Sequence, residues 1–217
     1  MTSHNTTRPL VVLDCDSTTI QDEVIDLLAE AAGTSALVSR VTEQAMRGEI
    51  DFAESLKQRV ATLAGTPVSV FEQTIQRVRL SPGIRELIAE VHRLGGKVGI
   101  VSGGFHEVLD AIATDLGVDF WRANRLEVRD GKLTGKTIGE IVDAGVKADT
   151  LISWAAQEGF SPSETVAIGD GANDLQMMSK AALSIAYNAK PIVQESADVS
   201  ISDDLALAIA HIQKLDN

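Results

Sequence analysis

Four short apolar runs, each followed by a pattern typical of a helix, constrain this chain more than any other feature. They are RPLVVLD at 8–14, GKVGIVSGG at 96–104, ETVAIGDG at 164–171 and ALSIAY at 182–187. Strands that alternate with helices are typical of a sheet whose strands run parallel, with helices covering both faces. The sequence therefore predicts an α/β fold with a doubly wound, mostly parallel sheet.

A long interruption separates the first apolar run from the second. Residues 18–79 carry no strand signal, and amphipathic helical patterns occupy 22–33, 35–48, 51–65 and 68–79. Most of these patterns begin with polar residues and stop at glycine, as helices commonly do. We predict a small helical cap domain, residues 18–79, inserted after the first strand and lying over the carboxyl ends of the sheet. Residues 1–17 and 80–217 then form the core domain.

Further elements are indicated in the second half of the chain. Ser81 and Pro82 are predicted as the N-cap and the first residue of a helix, because a serine side chain accepts from free backbone N–H groups there and proline needs no partner. A DG pair within 124–136, between short alternating segments, indicates an antiparallel hairpin. Helices are predicted at 146–159 and 203–215.

Composition excludes several classes of partner. Acidic residues outnumber basic ones by 31 to 19, a formal net charge of −12 that repels polyanions, so no nucleic acid partner is expected. No apolar run approaches the roughly 18 residues of a membrane span, so no membrane partner is expected. Residues 1–8 are polar and lack the apolar region of a signal peptide, which favours a cytoplasmic location. Cys15 is the single cysteine, so no intramolecular disulfide can form.

Two carboxylates follow the first apolar run directly. Asp14 and Asp16 are two residues apart where a strand meets solvent, so their side chains point to the same side. Ligands of open α/β sheets bind just beyond the carboxyl ends of the strands. Like charges this close are unfavourable unless a cation or a proton intervenes. The pair therefore predicts a divalent metal, a protonated partner, or both.

Polar residues at the ends of the other apolar runs are predicted to converge on the same crevice. Asp14, Asp16 and Asp170 offer the oxygen ligands that suit Mg²⁺. The remaining residues supply donors and a charge for a phosphate group: the Ser102 hydroxyl and the amides of Gly103 and Gly104 at the start of a helix, and the Lys147 cation. Asn173 and Asp174 are positioned to hold the waters of the metal and the neighbouring donors.

These motifs, in their order along the chain, resemble those of the haloacid dehalogenase-like phosphatase superfamily. The matching elements are DCDST at 14–18, the pair Ser102-Gly103, the lone Lys147, and GDGAND at 169–174. The resemblance extends to the members that act on phosphoserine, through Glu23 in QDEVID and through the segments DFAESLKQRV, VSGGF and ANRLEVRDGKLTG. It covers nearly the whole chain from about residue 10.

The resemblance implies a role for each motif residue. Asp14 would attack the phosphorus and become an aspartyl phosphate, while Asp16 would act as general acid for the departing oxygen and then as base for water. Lys147 would stabilise the phosphoryl charge. In the family, Mg²⁺ is held by the carboxylates that match Asp14 and Asp170 and by the main-chain carbonyl that matches Asp16.

The resemblance also implies a small-molecule substrate, O-phospho-L-serine, selected by the cap. Positions matching Glu23 and Arg59 meet its ammonium and carboxylate, and those matching Met46 and Phe52 form an apolar wall. The residues by themselves permit plainer interpretations. Arg59 could be a solvated-face residue, Glu23 a partner of the helix dipole, and Met46 and Phe52 ordinary core residues.

Two rival functions remain open at this point. A phosphotransferase on the same scaffold would pass the phosphoryl group to homoserine or another alcohol, and the sequence barely separates it from a phosphatase. A phosphatase for another small phosphate ester is a further alternative. A phosphate-binding sensor would require a damaged nucleophile or metal site, whereas all the motif residues are present. A monomer and a homodimer are both compatible with the sequence.

Overall fold

The computed structural model describes residues 8–215, apart from the side chain of Met46. In this part of the chain the strands are β1 (Leu10–Leu13), β2 (Lys97–Phe105), β3 (Phe120–Arg129), β4 (Lys132–Ile138), β5 (Thr165–Gly169), β6 (Leu183–Tyr187) and β7 (Val199–Ile201). The α-helices are α1 (Val24–Ala32), α2 (Ser35–Met46), α3 (Phe52–Ala61), α4 (Ser69–Ile75), α5 (Ile84–Arg93), α6 (His106–Leu116), α7 (Ala144–Glu158), α8 (Leu175–Met178), α9 (Pro191–Ser196) and α10 (Ile209–Ile212).

One seven-stranded sheet organises the described chain, in the order β4-β3-β2-β1-β5-β6-β7. Every neighbouring pair is parallel except β3 and β4, which form an antiparallel hairpin. The first strand is central: Leu10 is in register with Lys97 on one side and with Thr165 on the other. The chain thus builds the sheet outward from β1 in both directions. This arrangement confirms the predicted doubly wound, mostly parallel fold class.

The burial of β1 explains why its sequence is a continuous apolar run. All four of its residues are inaccessible to solvent. Val11 and Leu13 pack in the hydrophobic cluster on one face of the sheet, and Leu10 and Val12 pack in the cluster on the other. A parallel strand covered on both faces needs apolar side chains at every position rather than at alternate ones. The strand is therefore a rigid base for the acidic residues that follow it.

Four helices, α1 to α4, lie in the chain between β1 and the helix that precedes β2. This confirms the predicted helical insertion, with each helix within the segment assigned to it. Asp51 caps α3 by accepting the Glu54 N–H at 2.8 Å. Ile20 and Leu80 form an isolated antiparallel bridge, so the chain enters and leaves this insertion at adjacent points.

The start of α5 differs from the prediction. Ser81 and Pro82 precede the helix instead of opening it, and Gly83 occupies the N-cap position with φ 76°. The Ser81 N–H donates to the Thr19 carbonyl at 3.0 Å, which holds it in the crossing between insertion and sheet. A Cβ on Gly83 would lie 1.9 Å from Asp204 Oδ1, so only glycine fits.

Three other predicted elements can be compared with the structure. The DG turn is confirmed: Asp130 and Gly131 both have positive φ, 51° and 72°, between β3 and β4. The predicted helix at 203–215 is wrong in extent, because Leu205–Ala208 form a 3₁₀ turn and only Ile209–Ile212 are α-helical. Helix α7 confirms the prediction at 146–159 and begins two residues earlier. Among the helices described here, none combines the length and apolarity needed to cross a bilayer.

Candidate active site

Asp14 stands at the carboxyl end of β1, where the sheet reaches a tight turn. Its N–H donates to the Ile168 carbonyl at 3.0 Å, which continues the pairing of β1 with β5 by one residue. Its Oδ1 accepts the Cys15 N–H at 2.7 Å. The turn closes through the Ile20 N–H, which donates to the Cys15 carbonyl at 3.0 Å, and Ser17 takes φ 56° within it. These bonds fix the Asp14 carboxylate, which is almost wholly buried.

Lys147 pairs with Asp14 in the interior. Its Nζ lies 2.6 Å from Asp14 Oδ1 and 2.8 Å from Asp174 Oδ1, and the lysine side chain is fully buried. Lys147 lies near the start of α7. Asp143 caps this helix by accepting the Val146 N–H at 2.9 Å. Burial disfavours the charged lysine, yet the charges of Asp14 and Asp174 prevail and raise the pKa of Lys147. The ammonium is therefore charged at neutral pH.

Asp174 holds the loop after β5 in place. Its Oδ2 accepts the N–H groups of Asp170 at 3.2 Å and Gly171 at 3.1 Å. A Cβ on Gly169 would lie 2.5 Å from the Asp174 carboxyl group, so a glycine is needed where the side chain folds back over the strand end. Asp174 therefore binds Lys147 with one oxygen and the loop with the other.

Asp14, Asp170 and Asp174 bring carboxylate oxygens within 4.8 Å of one another. Burial and the charge of Asp174 raise the pKa of Asp14 to about 8 and that of Asp170 to about 6. Such shifts mark carboxylates that need a cation or a proton, and an all-oxygen ligand set suits a hard divalent ion. The cluster is compatible with the metal that haloacid dehalogenase-like phosphatases generally use.

The predicted ligand set was Asp14, Asp16 and Asp170, whereas the third carboxylate of the observed cluster belongs to Asp174. Within the described residues, no hydrogen bond reaches Oδ2 of Asp14 or Oδ2 of Asp170, so both remain free to bind an ion. Both oxygens of Asp174 are occupied by Lys147 and the loop amides. The Asp16 side chain lies outside the cluster, as expected if it contributes a main-chain carbonyl only. Thr18, which the sequence reasoning missed, has its Oγ1 3.3 Å from Asp170 Oδ1 and orients it.

The Asp16 carboxyl group is buried beside the cluster. Its Oδ2 is 3.4 Å from the Val24 N–H, and its Oδ1 has no hydrogen-bond partner in the described part of the chain. Burial raises the pKa of Asp16 well above its usual range, and the charges of Glu23 and Asp14 raise it further. This direction favours the protonated carboxyl group, the form that a general acid has before it acts.

Ser102, Gly103 and Gly104 lie beside Asp16, but they do not open a helix as predicted. All three are extended within β2, and α6 begins only at His106. They occupy an irregularity in the pairing of β2 with β3, which runs to Val101 opposite Arg122 and resumes at Phe105 opposite Asn124. The Ser102 hydroxyl accepts the Gly104 N–H at 2.8 Å. A Cβ on Gly104 would approach Asp16 Oδ2 to 3.3 Å, so the small residue leaves room for the carboxyl group.

A cavity of about 660 Å³ lies between the sheet edge and the inserted helices. The predicted residues that line it from the sheet side are Asp14, Asp16, Ser102, Gly103, Gly104, Asp170 and Asn173. Glu23, Phe52 and Arg59 line it from the inserted helices. The predicted role of Met46 concerns a side chain outside the described part of the chain. Lys147 is buried behind Asp14. The structure thus brings the described predicted residues to one cavity or its floor.

Glu23 and Arg59 face this cavity with opposite charges. Glu23 precedes α1, and its Oε1 accepts the Ser17 hydroxyl at 2.7 Å. Arg59 is half-buried, and burial lowers the pKa of its guanidinium. The Phe52 ring lies over Gly103, since a Cβ on that glycine would be 3.0 Å from the ring. The inserted helices are thus packed directly against the strand that carries Ser102.

Asn124 is a buried polar residue of the site region that the sequence reasoning did not single out. Its Nδ2 donates to the Gly103 carbonyl at 2.8 Å, and its Oδ1 accepts the Val142 N–H at 2.8 Å. Asn124 is 1% exposed in a strand whose other residues are mostly accessible in part, and a buried amide needs such partners. The partners themselves depend on the register of β2 and β3, which the sequence does not specify.

Comparison with known proteins places this geometry in a family. A model of the haloacid dehalogenase-like hydrolases matches residues 11–179. A phosphoserine phosphatase of Streptococcus thermophilus is 52% identical over 196 residues, which cover 90% of this chain and 91% of that protein. One of Streptomyces coelicolor is 53% identical over 199 residues, which cover 92% of this chain but 48% of the relative, so the chain spans about half its length.

A solved structure shares both the fold and the arrangement of the chain. It is described as a phospho-aspartyl intermediate analogue of phosphoserine phosphatase, and it matches with a TM-score of 0.88 and 41% identity. The match covers 94% of this chain and 99% of the solved one. Together with the match of the family model over more than half of the residues, this similarity shows that the chain belongs to the haloacid dehalogenase-like hydrolases.

Proposed function

We propose that this chain hydrolyses O-phospho-L-serine to L-serine and inorganic phosphate through an aspartyl phosphate on Asp14. One observation carries the proposal: a single cavity joins the Asp14 and Asp16 carboxyl groups to Glu23 and Arg59. The first pair suits phosphoryl transfer, and the second suits an amino acid's ammonium and carboxylate. The relatives reported above, which are named phosphoserine phosphatases, support the same substrate.

In the first step, an Asp14 oxygen attacks phosphorus and the bond from phosphorus to the serine oxygen breaks. Asp16 gives its proton to that oxygen, because an alkoxide is a poor leaving group. Burial is the chief cause of the raised pKa of Asp16, which favours the protonated form that this step requires. The Lys147 ammonium, 2.6 Å from Asp14, offsets charge as the phosphate dianion approaches.

In the second step, water attacks the phosphorus of the aspartyl phosphate. Asp16, now a carboxylate, removes a proton from that water, and the bond between phosphorus and the Asp14 oxygen breaks. Inorganic phosphate leaves, and both carboxyl groups return to their starting states. Splitting the displacement in two allows water to attack a reactive acyl phosphate instead of a phosphate ester.

The metal in this proposal is Mg²⁺. Asp14, Asp170 and the main-chain carbonyl of Asp16 would hold it, and the Oδ2 atoms of the two carboxylates, which are unpaired among the described residues, favour this assignment. When bound, the ion neutralises charge between the carboxylates and the phosphate. Asn173, which lines the cavity, and the Ser102 hydroxyl are proposed to bind the phosphate, together with Gly103 and Gly104.

Substrate selection is assigned to the inserted helices. Glu23 would bind the ammonium of phosphoserine and Arg59 its carboxylate, with Phe52 and Met46 as the apolar wall. The proposed division is a cap domain of residues 18–79 and a core domain of residues 1–17 and 80–217. We further infer a cytoplasmic enzyme that acts as a monomer or homodimer.

Phosphate release from L-phosphoserine with Mg²⁺, in the presence and absence of homoserine, tests the proposal. We expect stoichiometric serine and phosphate, with a clear preference over phosphoethanolamine, which lacks the carboxylate. Formation of phosphohomoserine at the expense of phosphate would instead identify a phosphotransferase. A higher kcat/KM for an ester without amino acid groups would reject the assigned substrate.

A further inference from the structure

The side chain of Ser55 presents a buried hydroxyl without a partner. Ser55 lies in α3, its residue is 2% exposed, and its Oγ makes no hydrogen bond in the part of the chain that the structure describes. It nevertheless lines the cavity of the candidate active site. A buried polar group left unpaired costs stability, and native proteins keep few of them. A ligand group that enters the cavity would supply the missing partner.

The distribution of such atoms strengthens this interpretation. Five buried side-chain oxygens lack partners among the described residues, on Asp16, Thr42, Ser55, Thr74 and Ser81. Asp16, Thr42 and Ser55 all line the cavity, whereas Thr74 and Ser81 do not. The unpaired oxygens are thus concentrated where substrate would enter. Unpaired polar atoms in a binding site are expected when the ligand completes their hydrogen bonds.

Helix formation gives no reason for a serine at position 55. Serine inside a helix can bond back to the carbonyl four residues earlier. Here the Asp51 carbonyl accepts the Ser55 backbone N–H at 2.9 Å, and the hydroxyl stays unpaired. Alanine forms helix better than serine and would leave no unpaired group. The hydroxyl is thus unfavourable for the free protein.

Arg59 connects this hydroxyl to the carboxylate end of the substrate. Residues four apart lie on one face of a helix, and both Ser55 and Arg59 line the cavity. Arg59 Nε is 3.4 Å from the Ser55 carbonyl, so the arginine side chain folds back over the turn that carries the hydroxyl. An anion held by Arg59 would therefore lie beside the Ser55 Oγ. Among the described residues no such bond connects Thr42 to Arg59, so of the two unpaired hydroxyls only that of Ser55 lies on the turn that Arg59 covers.

We propose that Ser55 is a specificity-determining residue whose hydroxyl donates a hydrogen bond to the substrate carboxylate held by Arg59, an inference that rests on the proposed phosphoserine hydrolysis. The contact is absent for phosphate esters without a carboxylate. Ser55 therefore adds to the preference for amino acid phosphates and leaves the phosphoryl-transfer chemistry unchanged.

Kinetics of Ser55→Ala on L-phosphoserine and on phosphoethanolamine, both with Mg²⁺, test this role. We expect KM for phosphoserine to rise about tenfold, the usual effect of losing one hydrogen bond to a charged group, with little change in kcat. The kcat/KM for phosphoethanolamine should stay at the wild-type value. The thermal midpoint of the substrate-free variant should equal or exceed that of the wild type, because the unpaired hydroxyl has gone.

Ser81→Ala is the matched control. Ser81 is 3% exposed, its Oγ is likewise unpaired among the described residues, and it lies outside the cavity. This variant should leave kcat/KM unchanged for both substrates.

Several outcomes would overturn the proposal. If Ser55→Ala changes kcat/KM for neither substrate, or lowers it equally for both, the carboxylate contact is rejected while phosphoserine hydrolysis stands. Should Ser55→Ala fail to fold, Ser55→Cys, which retains the size with a weaker donor, gives the same comparison. A wild-type protein inactive on phosphoserine would overturn the proposed function and this inference with it.

Discussion

The side-chain amide of Asn124 donates a hydrogen bond to the main-chain carbonyl of Gly103 across 2.8 Å. Its oxygen accepts the Val142 N–H at the same distance. One buried side chain therefore joins the end of β2, where Ser102 lies, to the loop that leads into α7 and Lys147. The position of β2 relative to Lys147 depends on this link.

Replacing Asn124 with leucine should weaken both stability and activity. The Gly103 carbonyl and the Val142 N–H would lose their partners in a buried setting, at a cost of about 2–4 kcal/mol in the free energy of unfolding. We expect kcat to fall about tenfold or more as Ser102 and Lys147 shift apart. Urea unfolding and steady-state kinetics measure the two effects. Gln157→Leu, at an exposed amide, is the control, and equal effects of the two variants would contradict the assigned link.

Lys147→Met should be the most destabilising single change in the site. It leaves Asp14 and Asp174 buried without their shared cation, and breaking such a pair commonly costs about 3–5 kcal/mol. Activity should fall by about a hundredfold or more, since the charge beside the attacking carboxylate is lost. Denaturant unfolding at neutral pH and phosphate release are the measurements. Lys136→Met, at an exposed position of β4, is the control; a Lys147→Met protein as stable as this control would contradict the buried pairing.

Asp14→Asn should separate activity from folding. The amide cannot attack phosphorus, so we expect a loss of about ten-thousandfold or more. The fold should be retained with an unchanged or higher thermal midpoint, because burial already disfavours the charged Asp14 and raises its pKa to about 8. Mass spectrometry after mixing with substrate adds a second readout: a phosphoryl adduct on the wild type and none on the variant. Residual turnover at the wild-type level would exclude Asp14 as nucleophile.

The stabilising effect of Mg²⁺ should grow as the pH rises. The pKa values of Asp170, about 6, and Asp14, about 8, lie above the unfolded value of 3.8 because of burial and of repulsion from Asp174. The folded, metal-free protein therefore binds more protons than the unfolded chain, and its stability falls as pH rises from about 4 to about 8. A cation on the same oxygens removes this loss.

Thermal unfolding with excess Mg²⁺ and with EDTA, at about pH 5.5 and about pH 8, checks that prediction. We expect the Mg²⁺-induced rise in thermal midpoint to be several degrees larger at the higher pH. In Asp170→Asn the rise should be small at both pH values. A shift in the wild type that does not depend on pH would show that the ion binds elsewhere.

The sequence predicted the central part of the fold because β1, β2, β5 and β6 are continuous apolar runs, as buried parallel strands must be. Strand β7, three residues at the sheet edge, was missed because so short a segment has no period to detect. The pairing of β3 with β2 was also missed, since polar residues interrupt it. Ser81 resembles an N-cap in sequence, but its backbone is held by the crossing to Thr19, a long-range contact.

For the candidate site, too, local patterns could be predicted and long-range contacts could not. Asp14, Asp16 and Asp170 could be predicted to converge because the carboxyl ends of parallel strands share one edge, and Lys147 was assigned to the same crevice from its place at a helix start. The helix start assigned to Ser102 was wrong, since β2 continues to Phe105, where its pairing with β3 resumes after an irregularity. Contacts that join separate elements depend on register and side-chain direction, and no local pattern encodes them.

The Ile20–Leu80 bridge brings together the two points at which the inserted helices join the rest of the chain. The groups assigned to recognition, Glu23 and Arg59, therefore belong to one contiguous stretch, whereas the groups assigned to chemistry lie outside it, at the ends of strands and on α7. Such a segment can be exchanged as a unit without rerouting the strands. The fold is thus modular: replacing the inserted helices would change the substrate, while the carboxyl ends of the strands and their acidic residues are kept.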